Sequence, residues 1–353
     1  MQTPLICATI LAMIHALIMA GGKGSRFWPM SRSVKAKQFL TILGDTTLLE
    51  QTVNRIRPLV DQIWVVGNQA QAPFFDELPE SAKPDHLLLE PVGRNTAPCI
   101  GWAAAKMLAF DPHAIMIVLP SDHTITKPDV FEHLIKRAIH EVSLSPQLMT
   151  LGIKPTFPHT GYGYIEVKQL RNGRGQVVRF REKPNYDTAM QFIRKKRFFW
   201  NSGMFIWPAS LILTHLKTHL PADATRYEQL ATASGSRLKS IYQRLQSISI
   251  DYAVMEKAVS DTTILVADMG WDDIGSWSAL EAHWPSDKLG NACRTHLIPM
   301  DSSGNIVSAS KLVALIDVHH LVVVETPDAI LVANKFSDQR IRELTDKLPP
   351  EYQ

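Results

Sequence analysis

Short apolar runs alternate with stretches of helical spacing along the first 120 residues. Ala16 to Ala20 is an apolar run that stops at a glycine, as expected of a buried strand that leads into a turn. The pattern continues with a helix at 48–57, strands at 63–66 and 87–89, a helix at 100–110 and a strand at 114–119. Alternating strands and helices predict an α/β fold with a mostly parallel sheet and right-handed crossovers. Ligands of such sheets lie beyond the carboxyl ends of the strands.

The pattern changes at Gly290. Short β-rich runs separated by turn residues follow at 297–300, 306–307, 312–317, 321–325 and 329–333. Ser337 is then the expected N-cap of a closing helix with Ile341, Leu344 and Leu348 on one face. We therefore expect a large domain over 13–289 and a β-rich region with a closing helix over 290–353.

The composition is that of an ordinary soluble protein. An apolar content of 45% is ample for a core, and a net charge of +3 is small for 353 residues. This balance argues against a nucleic-acid or membrane surface. The three cysteines are far apart, which suggests a reducing compartment and excludes a zinc-finger spacing.

The N-terminal segment from Leu5 to Ala20 is largely apolar. It contains His15, is shorter than a membrane span, and lacks the positive flank of a secretory signal. Its second half is the strand that feeds the glycine turn. We therefore expect Met13 to be the natural start, residues 1–12 to be a dispensable extension, and the protein to be cytoplasmic.

Three glycines follow the first strand, Gly21, Gly22 and Gly24. Glycines let successive N–H groups approach and point at one anion. Arg26 and Lys37 come next, and two such cations can clamp a polyphosphate. Walker A spacing is absent, and Phe27 stands where a dinucleotide fingerprint needs its third glycine. The glycines alone fit an ordinary turn equally well, but with the cations they indicate a nucleoside triphosphate site.

Polar clusters also follow two later strands. Arg94, Asn95 and Thr96 come after the strand at 87–89, and Ser121 and Asp122 come after the strand at 114–119. Capping of the next helix explains part of the first cluster, and a simple turn would explain Asp122 alone. Three polar clusters at three strand ends make a ligand site the better interpretation.

Further candidates occupy the second half of the chain. Residues 160–163 form a glycine-rich approach to a ligand. Glu182 and Lys183 follow a predicted strand. Such a pair is usually a surface ion pair that contributes little to stability. At the end of a strand, however, both side chains can be fixed toward a cleft. The adjacent Asp272 and Asp273 are unusual as turn chemistry, although a plain turn also accounts for them.

Seven segments, in order, resemble the sugar-1-phosphate nucleotidyltransferases, specifically the mannose-1-phosphate guanylyltransferase family. They lie at 21–40, 93–98, 119–123, 181–184, 200–205, 251–257 and 271–275. Phe27 and Ala36 depart from the family's Leu and Pro, and neither change removes a charged or hydrogen-bonding group. Arg181 stands where the family has Val, so its side chain should point away from the site.

The resemblance implies a Rossmann-like nucleotidyltransferase domain followed by a small left-handed β-helix-like piece. It assigns nucleotide binding to Ala20, Gly21, Gly22, Gly24, Ser25, Arg26, Lys37, Arg94, Asn95, Thr96, Ser121 and Asp122. It assigns sugar-phosphate binding to Gly163, Tyr164, Glu182, Lys183, Asn201 and Asp251.

The two metal-binding aspartates of the family correspond to Asp122 and Asp273. Asp273 is favoured over Asp272 because Trp271-x-Asp273-x-Gly275 matches the pattern of the superfamily. Half of the chain separates the two aspartates, so only folding can close this site. Mg²⁺ suits it, because that ion takes few carboxylates and completes its octahedron with phosphate oxygens and waters.

The implied reaction makes GDP-mannose and pyrophosphate from GTP and mannose 1-phosphate. Positioning and charge neutralisation by Arg26, Lys37, Asp122, Lys183 and Asp273 would do most of the catalysis. The first alternative is a nucleotidyltransferase for another hexose 1-phosphate or nucleotide. The second is a non-catalytic sugar-nucleotide-binding homologue, against which the presence of all five residues argues.

The expected partners are therefore GTP and mannose 1-phosphate, with no nucleic acid and no membrane. A homodimer is the candidate assembly. No room is expected after Gln353 for the isomerase domain that longer, bifunctional relatives append.

Overall fold

The computed structural model describes residues 12–22 and 24–353, so the predicted extension 1–12 lies outside it apart from Ala12. The strands are β1 (Ile14–Ala20), β2 (Gln62–Asn68), β3 (His86–Glu90), β4 (Ile115–Pro120), β5 (Thr124–Ile125), β6 (Leu148–Ile153), β7 (Tyr164–Arg171), β8 (Arg174–Arg181), β9 (Phe198–Pro208), β10 (Thr262–Val266), β11 (Trp271–Asp272), β12 (Ala292–Cys293), β13 (Leu297–Met300), β14 (Ile306–Ser308), β15 (Val313–Ile316), β16 (Leu321–Glu325) and β17 (Ile330–Asn334). The helices are α1 (Leu48–Ile56), α2 (Ala72–Asp76), α3 (Thr96–Phe110), α4 (Pro128–Leu144), α5 (Tyr186–Arg194), α6 (Ala209–His219), α7 (Ala224–Leu230), α8 (Gly235–Tyr242) and α9 (Ile341–Thr345).

Nine strands form the main sheet, in the order β3-β2-β1-β4-β9-β6-β10-β8-β7. Parallel pairs join β1 to β2 and β4, β2 to β3, and β6 to β10. Strands β8 and β9 pair antiparallel with their neighbours. Seven of the nine strands, all except β8 and β9, therefore run in one direction, and the predicted mostly parallel sheet is confirmed.

Helices cover both faces of this sheet. In β1, Leu17 points into one core, whereas Ala16 and Ile18 point into the other, as the two-residue period of a strand requires. The first core includes α3, α6 and α7, and the second includes α1 and α4. The result is a three-layer α/β/α arrangement.

Local caps define where two helices begin. Thr47 and Glu50 form a capping box on α1, in which the Glu50 backbone N–H donates to Thr47 Oγ1 at 3.1 Å. Asn95 caps α3, because its Oδ1 accepts from the backbone N–H of Thr96 at 2.9 Å. That cap starts α3 one turn before the helix predicted at 100–110, and it confirms the capping interpretation of the polar cluster.

The C-terminal region contains short strands in largely parallel pairs. Strands β12, β14, β16 and β17 form one sheet, and β13 pairs with β15. All of these pairs are parallel except β16 with β17. Short parallel strands joined by turns form the β-helix-like piece that the sequence predicted.

The predicted cap of the closing helix is wrong. Asn334 begins a 3₁₀ turn at Lys335–Arg340, and its Oδ1 accepts from the backbone N–H of Phe336 at 2.9 Å. Ser337 lies inside that turn, and α9 follows it. Ile341 is buried as predicted, but Leu344 is exposed.

A third apolar core joins the loop after β1 to the C-terminal region. Phe27 and Trp28 of the loop share this core with Trp277, Trp284 and Ile341. The glycine-rich loop is therefore packed against the segment at 277–284 and against the closing helix.

None of the helices formed by the described residues combines the length and the apolar character that crossing a bilayer requires.

Candidate functional site

A cavity of about 470 Å³ opens at the carboxyl ends of β1, β3 and β4. The start of β7, the end of β8 and the middle of β9 complete its walls. The predicted site residues that line it are Gly21, Gly22, Asn95, Thr96, Gly163, Glu182, Lys183, Asn201, Asp251 and Asp273. The fold thus brings residues from both halves of the chain to one cavity.

Several other predicted residues lie around this cavity without lining it. Ala20 and Ser121 are buried in the strand ends. Tyr164 is also fully buried, and its hydroxyl donates to the backbone oxygen of His159 at 3.0 Å. The guanidinium of Arg94 donates to the backbone oxygen of Gln243.

Three residues of the glycine-rich loop face a second cavity. Gly24, Ser25 and Arg26 line this space of about 430 Å³, which the C-terminal segment closes on its other side. Arg26 Nη1 donates to Gln339 Oε1 at 3.2 Å. The guanidinium also lies beside Gly275, so it reaches the segment that carries Asp273.

The loop requires glycine at two positions. A Cβ atom on Gly21 would lie 2.8 Å from Oε2 of Glu90. Gly24 has a φ of +61°, and a Cβ there would lie 2.5 Å from the backbone nitrogen of Lys37. Both glycines therefore allow close packing of the loop against functional residues.

Lys37 connects the two predicted metal-binding aspartates. Its Nζ donates to Asp122 Oδ2 at 2.9 Å and to the backbone oxygen of Asp122 at 3.0 Å. It also donates to the backbone oxygen of Asp273 at 2.6 Å. Lys37 is buried, with 6% of its side chain exposed, so its ammonium holds two segments 151 residues apart in a fixed arrangement (273 − 122).

The environment of Asp122 favours its ionised form. Desolvation raises the pKa of this carboxyl, but the Lys37 ammonium and His123 outweigh it, and the pKa is lowered overall. An ionised carboxylate with a free oxygen is suited to a hard cation.

Asp272 and Asp273 have different surroundings. Asp272 Oδ2 lies 3.1 Å from His283 Nε2, and Asp272 Oδ1 accepts from the backbone N–H of Ile274 at 2.7 Å. Asp273 lines the main cavity and accepts only from the hydroxyl of Tyr162, at 2.6 Å, among the described residues. This difference supports the choice of Asp273 as the functional aspartate.

The opposite end of the cavity holds the predicted sugar-binding residues. Asn201 Nδ2 donates to Asp251 Oδ1 at 3.0 Å, and Lys183 Nζ lies 2.6 Å from Glu182 Oε1. The backbone N–H of Glu182 donates to Glu256 Oε1 at 3.3 Å. Two carboxylates, an amide and an ammonium thus face the same space.

Burial and neighbouring charges shift the pKa values of Asp251 and Lys183 at this end of the cavity. Desolvation, followed by the Glu182 carboxylate, raises the pKa of Asp251 to about 7. Desolvation lowers the pKa of Lys183, but the bond to Glu182 outweighs it and raises that pKa overall. Lys183, which lines the cavity, has a φ of +41°, a conformation that few residues other than glycine adopt.

Glu90 is a functional candidate that sequence reasoning missed. It lines the cavity, is 6% exposed, and accepts from the Tyr242 hydroxyl on Oε1 at 2.6 Å. Burial raises its pKa to about 7. Its position at the end of β3, immediately before the cluster at 94–96, was the available signal.

Tyr162 and His123 were also missed as cavity residues. Tyr162 bonds Asp273, and burial followed by the Asp273 carboxylate raises its pKa well above the usual range. His123 accepts on Nδ1 from Trp271 Nε1 at 3.1 Å, and burial lowers its pKa. The sequence offered a signal for each, because Tyr162 lies within the glycine-rich segment at 160–163 and His123 is adjacent to Asp122.

Two family descriptions match the chain. Residues 15–287 match the family described as Nucleotidyl transferase, which is more than half of the chain. Residues 295–348 match the domain described as MannoseP isomerase/GMP-like beta-helix.

Curated relatives resemble nearly the whole chain. The Xanthan biosynthesis protein XanB of Xanthomonas campestris pv. campestris is 37% identical over 94% of this chain and 72% of its own length. Mannose-1-phosphate guanylyltransferase 2 of Escherichia coli O157:H7 is 37% identical over 96% of this chain and 74% of its own length.

A solved structure has the same overall fold. It is described as a mannose-1-phosphate geranyltransferase from Thermus thermophilus, and it aligns with a TM-score of 0.87 at 32% identity. The alignment covers 95% of this chain and 99% of that one. The chain therefore belongs to the nucleotidyl transferase family, within the group of the mannose-1-phosphate guanylyltransferases.

Proposed function

We propose that this chain makes GDP-mannose and pyrophosphate from GTP and mannose 1-phosphate. The observation that carries the proposal is the single cavity lined by Asp273 and by Glu182, Lys183 and Asn201. Lys37 holds the backbone of Asp273 beside Asp122, which lies next to the cavity wall. Relatives named mannose-1-phosphate guanylyltransferase at 35–37% identity support the same substrates. Both substrates are charged metabolites of the cytoplasm, where we propose that the enzyme acts.

The proposed chemistry is one in-line displacement. A phosphate oxygen of mannose 1-phosphate forms a bond to the α-phosphorus of GTP, and the bond from that phosphorus to the bridging oxygen breaks. The electron pair leaves with pyrophosphate. The attacking oxygen is already anionic, so no general base is needed, and positioning with charge neutralisation carries the catalysis.

The phosphate end of the cavity suits a triphosphate. The backbone of Gly21 and Gly22 is exposed there, and Arg26 supplies a guanidinium from the same loop. Lys37 acts through the aspartates: its ammonium keeps Asp122 ionised and holds the backbone of Asp273. This role differs from direct clamping of the triphosphate, which the motif alone suggested.

Asp122 and Asp273 would hold Mg²⁺. No three acidic, histidine or cysteine side chains converge on one point in the described part of the chain, so oxygen atoms of substrate and water must complete the coordination. That donor set fits Mg²⁺, which binds few carboxylates and keeps waters or phosphate oxygens. When bound, the ion supplies neutralisation of charge on the triphosphate.

Glu90 is suited to recognition of the base. Guanine presents two adjacent N–H donors, N1–H and the N2 amino group, on its Watson–Crick edge, whereas adenine presents a single amino donor beside the N1 acceptor. Oε2 of Glu90 faces the glycine-rich loop, while Oε1 is already bonded to Tyr242. A buried carboxylate acceptor would therefore favour guanine, because the mismatched acceptor of adenine would lie unpaired against it.

A pyrophosphate-release assay across four nucleoside triphosphates and several hexose 1-phosphates tests this proposal. We expect the highest kcat/KM for GTP with mannose 1-phosphate, and loss of activity when a chelator removes divalent cations. Glu90→Gln should narrow the preference for GTP over ATP, whereas the exposed Glu77→Gln should not. A higher kcat/KM with another pair, or no pyrophosphate release with any pair, would refute the proposal.

A further inference from the structure

Two aromatic residues of the glycine-rich loop pack away from the main sheet. Phe27 and Trp28 are 1% and 6% exposed, and both pack in the third core with Trp277, Trp284 and Ile341. These two residues therefore pack both against the segment at 277–284 of the large domain and against the closing helix of the C-terminal region.

One hydrogen bond from the large domain and one to the C-terminal region hold Trp28 of the loop. Trp277 Nε1 donates to the backbone oxygen of Trp28 at 3.1 Å. The indole N–H of Trp28 donates in turn to the backbone oxygen of Tyr352 at 2.7 Å. These bonds fix both the main chain and the side chain of residue 28.

Two side-chain pairs hold the cations of the loop. Arg32 Nη2 donates to both carboxylate oxygens of Asp328, each at 2.9 Å. The same guanidinium donates through Nη1 to the backbone oxygen of Pro29, so it connects Asp328 to the turn of the loop. Arg26 Nη1 donates to Gln339 Oε1 at 3.2 Å. Each pair spans about 300 residues of sequence, as the separations of 296 and 313 show.

We propose that Asp328 and Gln339 are positioning residues for the nucleoside triphosphate. Asp328 acts through Arg32 on the shape of the loop, and Gln339 acts through Arg26 on the direction of its guanidinium. Neither residue lines the main cavity. The C-terminal region is thus part of the apparatus that orients the triphosphate.

The inference rests on the proposed function, because it assumes that the loop binds GTP. Titration of the protein with GTP in the presence of Mg²⁺, together with initial-rate kinetics for both substrates, distinguishes a failure of this inference from a failure of the proposed function. Asp328→Asn and Gln339→Ala remove one pair each. Asp317→Asn is the matched control, since Asp317 is an exposed aspartate of the same region whose only ion-pair partner among the described residues is His319.

We expect Asp328→Asn to raise the Kd and KM for GTP by about tenfold, since small misplacements far from the reacting atoms reduce rates by up to about 100-fold. The KM for mannose 1-phosphate should stay within twofold of the wild-type value. Gln339→Ala should also raise the Kd and KM for GTP and spare the KM for mannose 1-phosphate, but the rise should be smaller. The charge-swapped pair Arg32→Asp with Asp328→Arg should recover part of the GTP affinity that Arg32→Asp alone loses.

Unchanged GTP affinity in both single variants would overturn the inference. The inference would also be overturned if the variants lost affinity for both substrates equally and in proportion to a fall in Tm. A wild-type protein that binds no GTP would refute the proposed function itself, whereas active wild type with unaffected variants would refute only the positioning role.

Discussion

The two ends of the cavity use acidic side chains in opposite ways. At the phosphate end, Lys37 pairs with Asp122 and lowers its pKa, so the carboxylate is ionised and ready for a cation. At the sugar end, Asp251 faces Glu182, and its pKa rises to about 7. We propose that one end concentrates charge around a metal and a triphosphate. The other end would offer hydrogen-bond acceptors to neutral hydroxyl groups and one cation, Lys183, to a phosphate.

This contrast predicts that the phosphate end is the more sensitive to loss of a single charge. Asp273→Asn removes one of the two carboxylates proposed for Mg²⁺, so we expect kcat to fall by about 10³-fold or more. Asp272→Asn is the control, because Asp272 already bonds His283 and the backbone of Ile274. Initial rates of pyrophosphate release, with circular dichroism to confirm folding, measure both. The opposite ranking of the two variants would assign the metal to Asp272.

The two cations should separate the substrates. Lys183→Ala should weaken use of mannose 1-phosphate, and Arg26→Ala should weaken use of GTP. A charge-assisted contact with phosphate contributes about 1.5–3 kcal/mol, which corresponds to roughly a ten- to hundredfold effect on the matching substrate. Titration of each variant with GTP and Mg²⁺ is the cleaner measurement, because KM need not equal a dissociation constant. If Lys183→Ala abolished GTP binding and spared the sugar phosphate, the two ends would have been assigned backwards.

The raised pKa of Asp251 should appear in the pH dependence of stability. The pKa is 3.8 for an ordinary aspartate and about 7 here, so the folded state binds this proton more tightly than the unfolded state. The stability it contributes is complete below pH 3.8 and is lost as the pH rises through about 7. Above that pH, Asp251→Asn should therefore be more stable than wild type, by roughly 2 kcal/mol after allowance for partial solvent screening.

Urea unfolding between pH 4 and 8.5 measures this effect. The amide oxygen of the variant can still accept from Asn201, so the hydrogen bond is retained. Asp76→Asn is the control, because Asp76 is exposed; its free energy of unfolding should follow the same pH dependence as that of wild type. If the free energy of unfolding of Asp251→Asn varied with pH in the same way as that of wild type, the pKa of Asp251 would not be raised in the folded protein.

Much of the architecture follows from local patterns. The apolar run at 16–20 and the alternation of elements up to 119 predicted the sheet, and the short apolar runs after 290 predicted a β-rich region. The β-helix-like form of that region was implied by the family resemblance alone. These elements are specified by period and by turn residues within a few positions, which a sequence displays directly. The cap at Ser337 failed because Asn334, three residues earlier, offers an equivalent side-chain oxygen.

The roles of individual site residues depended on distant contacts. Lys37 was predicted to clamp phosphate, but its ammonium reaches Asp122 and Asp273, 85 and 236 residues away. Glu90 was missed because a glutamate at a strand end is usually exposed, and its burial depends on Tyr242, 152 residues later. Neither environment is visible in a local pattern, because both arise only when the sheet is complete.

The third core also has a consequence for the synthesis of the protein. Trp28 emerges early, whereas its partners Trp277 and Ile341 are added about 250 and 310 residues later. At translation rates of about 5–20 residues per second, the loop waits roughly 15–60 s before its last apolar partner is made. During that interval two large aromatic side chains, Phe27 and Trp28, lack the part of their cover that Trp277, Trp284 and Ile341 supply. The nascent chain therefore acquires its triphosphate loop among the last of its parts, although that loop is among the first to be synthesised.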